Sequence, residues 1–200
     1  MGVPATAIEA AVAARSLSSF KSEREAAEAL YGPLKTRFRA KATPAFLRQL
    51  ELALFAAKIC AYAQGFAVME AASKEFSWNL PMATIAKIWR AGCIIRSQFL
   101  DTIAGSYKKK DKPVNLLAAP QFVKMMKQGH GPLRKTVALA AESGIPVPAL
   151  SSALSYFDTY RQGRGVANLI QAQRDFFGAH GFERTDGGEG KHGPWGSGAA

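Results

Sequence analysis

The chain has 200 residues, a length that allows one sizeable domain or two small ones and is too short for most multidomain oxidoreductases. Hydrophobic residues make up 48% of it and charged residues 20%, a globular balance that excludes disordered and collagen-like classes. Its formal net charge of +11 favours an anionic partner, without deciding between nucleic acid, an acidic membrane and a phosphorylated small molecule.

Alanine is the commonest residue and outnumbers Val, Ile and Thr together. This balance favours helices, because β-branched residues lose rotamer freedom there. We therefore expect an all-α fold of long helices. Two capping-box spacings, Thr6 with Glu9 and Ser22 with Glu25, predict two short helices at the start of the chain.

A long apolar helix is predicted from Thr43-Pro44 to about Ala72. It contains Lys58 and Glu70, whose charges are costly at a bilayer centre, so we expect a buried core helix and no membrane contact. Because apolar residues cover most of its faces, a single copy would expose a large apolar surface, and we expect a homodimer.

Apolar residues at three- and four-residue intervals predict one continuous amphipathic helix from Asn79-Leu80-Pro81 to about Tyr107. The basic run 108–112 then follows as a solvated helix end. Cys60 and Cys93 both fall within apolar helical stretches, so we expect two reduced core residues and no disulfide.

The remaining chain predicts further helices and a tail. One helix begins after Pro120, breaks at Gly129-His130-Gly131-Pro132 and resumes through Ala141, and two more cover 150–160 and 167–177. The glycine-rich end has no apolar periodicity. We therefore predict an all-helical substrate and dimerisation domain over residues 1–178 and an extended tail over residues 179–200.

Catalytic and cofactor signatures are absent from the sequence: it has no P-loop, GxGxxG after a strand, GxSxG, HExxH or CxxC. Its three histidines lie far apart without ligands at metal spacing, so we expect no metal site. The run Lys108 to Lys110 lacks interleaved aromatic residues, so we expect no nucleic acid; a nucleic-acid binder would show steeply salt-dependent retention on DNA. The N-terminus lacks a secretory signal, which favours a cytoplasmic location.

The segment LIQAQRDFFGAH, residues 169–180, carries Arg174 on a helix and His180 just beyond Gly178. A guanidinium offers a planar fork of donors for phosphate, and an imidazole adds one or two more. Alternatively, Arg174 pairs with a nearby carboxylate and His180 is a simple loop residue. The spacing alone leaves both interpretations open.

Two long motifs, ALSYFDTYR at 153–161 and ANLIQAQRDFFGAHGFERTD at 167–186, resemble the C-terminal region of the decarboxylating 6-phosphogluconate dehydrogenases. Further motifs extend the resemblance in the same order over nearly all of the chain: IEAAVAARSLSSFKSER at 8–24, KICAYAQGF at 58–66, IWRAGCIIRSQFLDTI at 88–103 and GIPVP at 144–148.

The resemblance implies NADP-dependent oxidative decarboxylation of 6-phosphogluconate to ribulose 5-phosphate in the pentose phosphate pathway, by a homodimer. It implies that Arg15, the last residue of VAAR, contacts the substrate phosphate. It also implies that Arg174 and His180 are offered across the dimer to the partner's substrate, and that the tail reaches into the neighbouring subunit.

The chain also departs from the family's pattern. The family's dinucleotide-binding domain, its catalytic lysine and glutamate and its KGTGKW signature precede the matched motifs and are absent here. We therefore expect no catalytic residue in this chain, NADP bound mainly by the missing domain, and no activity of the chain alone. The alternative is a non-catalytic dimerisation or interaction module derived from that family. Within the motifs, Ala13 stands where the family usually has Phe, and Gly181 where it has Thr.

Overall fold

A computed structural model describes residues 1–34, 40–109, 111–188 and 191–195. Within these ranges the regular structure is entirely helical, which confirms the predicted all-α class. The chain divides into two compact units, Met1–Tyr156 and Phe157–Ala200. The helices are α1 (Thr6–Ser19), α2 (Lys21–Tyr31), α3 (Pro44–Glu75), α4 (Met82–Arg90), α5 (Phe99–Tyr107), α6 (Pro120–Glu142), α7 (Pro148–Tyr160) and α8 (Ala167–Gly178), with a 3-10 turn at Leu116–Ala118.

Helix α3 is the central helix of the first unit and packs against α1 and α6. It begins as predicted: the Thr43 hydroxyl accepts a hydrogen bond from the Phe46 N–H at 3.2 Å, and Pro44 occupies the first turn. By length and composition it could also cross a membrane. Ile59 and Phe66 are nevertheless buried against protein, which supports the role of a core helix.

Helix α6 continues through the predicted break, so that prediction is wrong, and Pro132 lies inside the helix. A Cβ atom at Gly129 would lie 2.9 Å from the Cβ of Ala56 and 3.1 Å from the carbonyl oxygen of Leu52 on α3. The glycine therefore permits a close approach of the two helices. We attribute the continuity of α6 to this packing, which outweighs the hydrogen bond lost at the proline.

Helices α4 and α5 replace the single helix predicted from residue 80 to Tyr107, so that prediction is also wrong. The chain leaves the helical conformation after Arg90, and Gly92 adopts a left-handed φ of 76° that glycine allows at little cost. The two helices pack against each other, and the Nε of Arg90 lies 3.1 Å from the Oδ2 of Asp101. Both helices are amphipathic, and the helical spacing of apolar residues continues from one to the other. The periodicity alone therefore gave no sign of the break after Arg90.

The two cysteines are free thiols in different surroundings. Cys60 is fully buried in α3, as predicted. Cys93 is only half-buried and lies in the non-helical connection between α4 and α5, so its predicted position in a helical core is wrong. This connection is tied to α3 by a hydrogen bond from the Tyr62 hydroxyl to the Ile95 carbonyl.

The second unit contains the end of α7, helix α8 and the described part of the tail. Helix α8 ends at Gly178, within one residue of the predicted position. Ala179 follows in a left-handed conformation, and its N–H donates to the Asp175 carbonyl at 2.8 Å. This cap turns the chain back toward α8.

Candidate functional site

Arg174 and His180 lie side by side at the C-terminal end of α8. The Nη2 of Arg174 is 3.3 Å from the Nδ1 of His180, and its Nη1 donates to the Oε1 of Gln171 at 3.2 Å. Both residues are exposed. Arg174 therefore contacts an amide and an imidazole. Among the described residues its side chain has no carboxylate partner, so the alternative interpretation is not supported.

The pair has the chemistry of an anion site. A guanidinium has five N–H donors and no acceptor, so Arg174 keeps donors beyond the two contacts it makes. Because a guanidinium can only donate, the Nδ1 of His180 accepts in this contact, which leaves the Nε2–H of the imidazole to donate to an anion. A phosphate or carboxylate seated here would accept charge-assisted hydrogen bonds from both side chains.

His180 also lines an open cavity of about 800 Å³ within the second unit. One wall comes from α8, through Asn168 and Gln171, and another from the tail, through Arg184 and Asp186. The Nε of Arg184 donates to the Oδ1 of Asp186 at 2.9 Å, and this bond lowers the pKa of Asp186 to about 2. Since Arg184 is paired with Asp186, it is less available to an anion than Arg174, which has no carboxylate partner among the described contacts.

Asp175, next to Arg174 in the chain, is buried, and its carboxylate binds the tail at four points. Its Oδ1 accepts a hydrogen bond from the Gly181 N–H at 2.8 Å and lies 2.6 Å from the His192 Nδ1. Its Oδ2 accepts from the Gly193 N–H at 2.8 Å and from the Trp195 Nε1 at 2.6 Å. Burial raises the pKa of Asp175, but these hydrogen bonds outweigh it and hold the pKa well below its ordinary value.

Sequence reasoning did not single out Asp175. The available signal was a lone acidic residue followed directly by Phe176 and Phe177, which is a charge at the edge of an apolar stretch. Its four donors come from positions 6 to 20 residues further along the chain. Such a pairing depends on how the tail returns, and no local pattern encodes it.

Arg15 lies on α1 in the first unit, with an exposed side chain. Its predicted role at the same phosphate as Arg174 and His180 stays a prediction, because those residues belong to the second unit. Across the described ranges, no group of three His, Cys, Asp or Glu side chains could hold a metal ion.

Comparison with known proteins gives consistent matches. The family model described as 6-phosphogluconate dehydrogenase, C-terminal domain, matches residues 1–195. The decarboxylating 6-phosphogluconate dehydrogenase of Lactococcus lactis subsp. lactis is 46% identical over 93% of this chain and 39% of its own length. That of Synechococcus elongatus is 46% identical over 98% of this chain and 41% of its own length.

A solved structure is also similar. Plasmodium falciparum 6-phosphogluconate dehydrogenase, described in its apo form and in complexes with NADP+ and with 6-phosphogluconate, matches with a TM-score of 0.86 at 38% identity. The match covers 97% of this chain and 42% of the other. The chain thus spans about 40% of the length of the relatives that it matches.

Proposed function

The chain belongs to the 6-phosphogluconate dehydrogenase C-terminal domain family, and from that premise we propose that it is the substrate-binding and dimer-forming part of an NADP-dependent, decarboxylating 6-phosphogluconate dehydrogenase. The complete reaction would convert 6-phosphogluconate to ribulose 5-phosphate in the cytoplasm. We assign hydride transfer and most of the NADP contacts to the part of the relatives that this chain does not span. The contribution of this chain is to hold the phosphate end of the substrate.

The contact between Arg174 and His180 carries this proposal. The Nη2 of Arg174 lies 3.3 Å from the Nδ1 of His180 on an exposed surface, where a phosphate dianion can accept from the other N–H groups of the guanidinium and from the Nε2–H of the imidazole. The phosphate is remote from the carbon that reacts. Binding energy gained there can orient the sugar for reaction, which is how a non-catalytic domain contributes to turnover.

We place Arg15 of a second copy at the same phosphate. Arg15 is exposed on α1 and can reach outward to another protomer. Leu47, Leu54 and Phe55 of α3 are 55%, 57% and 43% exposed, an apolar surface that a second copy would cover. In the same proposal the tail, whose described residues fold back onto Asp175 of α8, faces the partner together with Arg174 and His180.

Calorimetric titration with 6-phosphogluconate tests the site. Arg174→Ala should weaken binding by about 100-fold and His180→Gln by about tenfold, because a charge-assisted hydrogen bond contributes roughly 1.5–3 kcal/mol. Arg161→Ala is the matched control, since Arg161 pairs with Asp158 at 3.1 Å in the same unit and is not among the residues that line the cavity. An Arg174→Ala chain that binds as well as the wild type would contradict the proposal.

Mixing two defective chains tests the assembly. If each site combines Arg15 of one protomer with Arg174 and His180 of its partner, a mixed dimer of Arg15→Ala and Arg174→Ala chains has one intact site. After re-equilibration, roughly a quarter of all sites should regain wild-type affinity. No recovery would show that the three residues do not act across a dimer. A dimer that never binds 6-phosphogluconate would favour the non-catalytic dimerisation module.

A further inference from the structure

One carboxylate holds the described part of the tail, residues 179–188 and 191–195, to α8. On this basis, and resting on the proposed function, we propose that Asp175 is a positioning residue that fixes His180 beside Arg174 so that the two bind one anion. Asp175 does not itself face the anion. It acts through the backbone of the tail.

The backbone on both sides of His180 is bonded to Asp175. The N–H of Ala179 donates to the main-chain carbonyl of Asp175 at 2.8 Å, and the N–H of Gly181 donates to its carboxylate at 2.8 Å. Arg174 is the neighbour of Asp175 on the same turn of α8. One short stretch of helix therefore sets the positions of both members of the pair.

The returning end of the tail completes the coordination of the carboxylate. Gly181 adopts a left-handed φ of 73°, and a Cβ atom there would lie 3.3 Å from the Lys191 carbonyl oxygen, so glycine suits this crossing. The Phe182 N–H donates to that same carbonyl at 2.7 Å. His192 and Trp195 then cover Asp175, whose side chain has no exposed surface.

The four contacts use the full capacity of the carboxylate. Its two oxygens offer about four lone-pair sites, and four donors approach them. An amide of the same shape cannot replace it, because one of its two ends would present N–H groups to two donors. Asp175→Asn keeps the volume of the side chain and should release the tail, since buried donors left unpaired are costly.

The test compares nuclear magnetic resonance spectra of the 200-residue chain and its variants without ligand. In Asp175→Asn, the indole N–H signal of Trp195 should lose its hydrogen-bonded shift, and the ring signals of His180 should move to the positions seen in Arg174→Gln. Asp158→Asn, which removes a carboxylate paired with Arg161 in the same unit, should change neither set of signals. Unchanged His180 signals in Asp175→Asn would overturn the proposal.

A second variant covers the case in which Asp175→Asn fails to fold. Trp195→Phe removes only one of the four donors, and it should shift the His180 ring signals part of the way. If Asp175→Asn is unfolded and the His180 ring signals do not shift in a folded Trp195→Phe chain, the proposal is overturned.

Titration with 6-phosphogluconate then separates the two proposals. We expect Asp175→Asn to weaken binding by about tenfold, the cost of misplacing one donor. If the wild type fails to bind 6-phosphogluconate while His180 still depends on Asp175, the positioning role is supported and the proposed ligand is wrong. If the His180 signals change but 6-phosphogluconate binds to Asp175→Asn as tightly as to the wild type, the positioning role is overturned.

Discussion

The two compact units of the chain bury different kinds of side chain. Met1–Tyr156 buries apolar residues such as Phe66 and Leu133 between packed helices. Among the described residues of Phe157–Ala200, the one fully buried side chain is Asp175, which is ionic. Apolar burial is non-directional and spread over many contacts, whereas a buried carboxylate depends on the geometry of each donor. The first unit should therefore determine stability and the second the placement of His180.

The largest effect should come from the apolar core. Phe66 is fully buried and its ring centroid lies 5.6 Å from that of Trp89 and 5.5 Å from that of Tyr107. Phe66→Ala should lower the free energy of unfolding by about 4 kcal/mol in urea titrations, through lost burial and a cavity. Phe177→Ala, at an 80% exposed position in the second unit, should cost less than about 0.5 kcal/mol. Equal losses of unfolding free energy in the two variants would contradict the contrast between the units.

A smaller effect should follow from filling the contact between α3 and α6. Gly129→Ala places a methyl group 2.9 Å from the Cβ of Ala56, so it should destabilise the chain by about 2 kcal/mol. Gly105→Ala, inside α5 with no described atom beyond its chain neighbours within 4 Å of the added atom, should stabilise it by about 0.5–1 kcal/mol. Thermal unfolding of both variants measures the difference. If both variants changed the stability in the same direction, close packing would not explain why residue 129 is glycine.

The smallest predicted effect is the release of the docked tail of the second unit at low pH. Burial raises the pKa of Asp175, but its hydrogen bonds prevail and hold the folded-state pKa below the unfolded value of about 3.9. The stabilisation of the docked tail is therefore fully present above that value, and it is lost as the pH falls through the folded-state pKa. The Trp195 indole signal should weaken under strong acid while the helical circular dichroism changes little. Simultaneous loss of both signals would contradict the separation of the units.

The sequence predicted the helical parts of the fold well because apolar periodicity and caps are local. The Thr43 cap of α3 and the stop of α8 at Gly178 were both predicted within a residue or two. The capping boxes predicted at Thr6 and Ser22 are wrong, because Ala5 and Phe20 occupy the cap positions and no side chain caps either helix. The errors at Gly129 and after Arg90 came from packing between helices. Close contact at Gly129 keeps α6 continuous, and packing of α5 on α4 breaks a periodicity that looked unbroken.

The candidate site was predicted in part. Arg174 and His180 are close in sequence, and both the spacing and the family motif pointed to them. Asp175 was missed because its partners include His192 and Trp195, far along the tail, and a carboxylate beside an arginine reads as an ordinary surface charge. Long-range polar contacts of this kind appear only when the chain is folded.

The central claim is that Arg174 and His180 bind a phosphate group, and the affinity for 6-phosphogluconate relative to gluconate tests it directly. Calorimetry on the wild-type chain should give a preference of about 1,000-fold for the phosphorylated sugar acid, and Arg174→Ala should reduce that preference to about tenfold. Equal affinities in the wild type, or a preference that Arg174→Ala leaves unchanged, would contradict the claim.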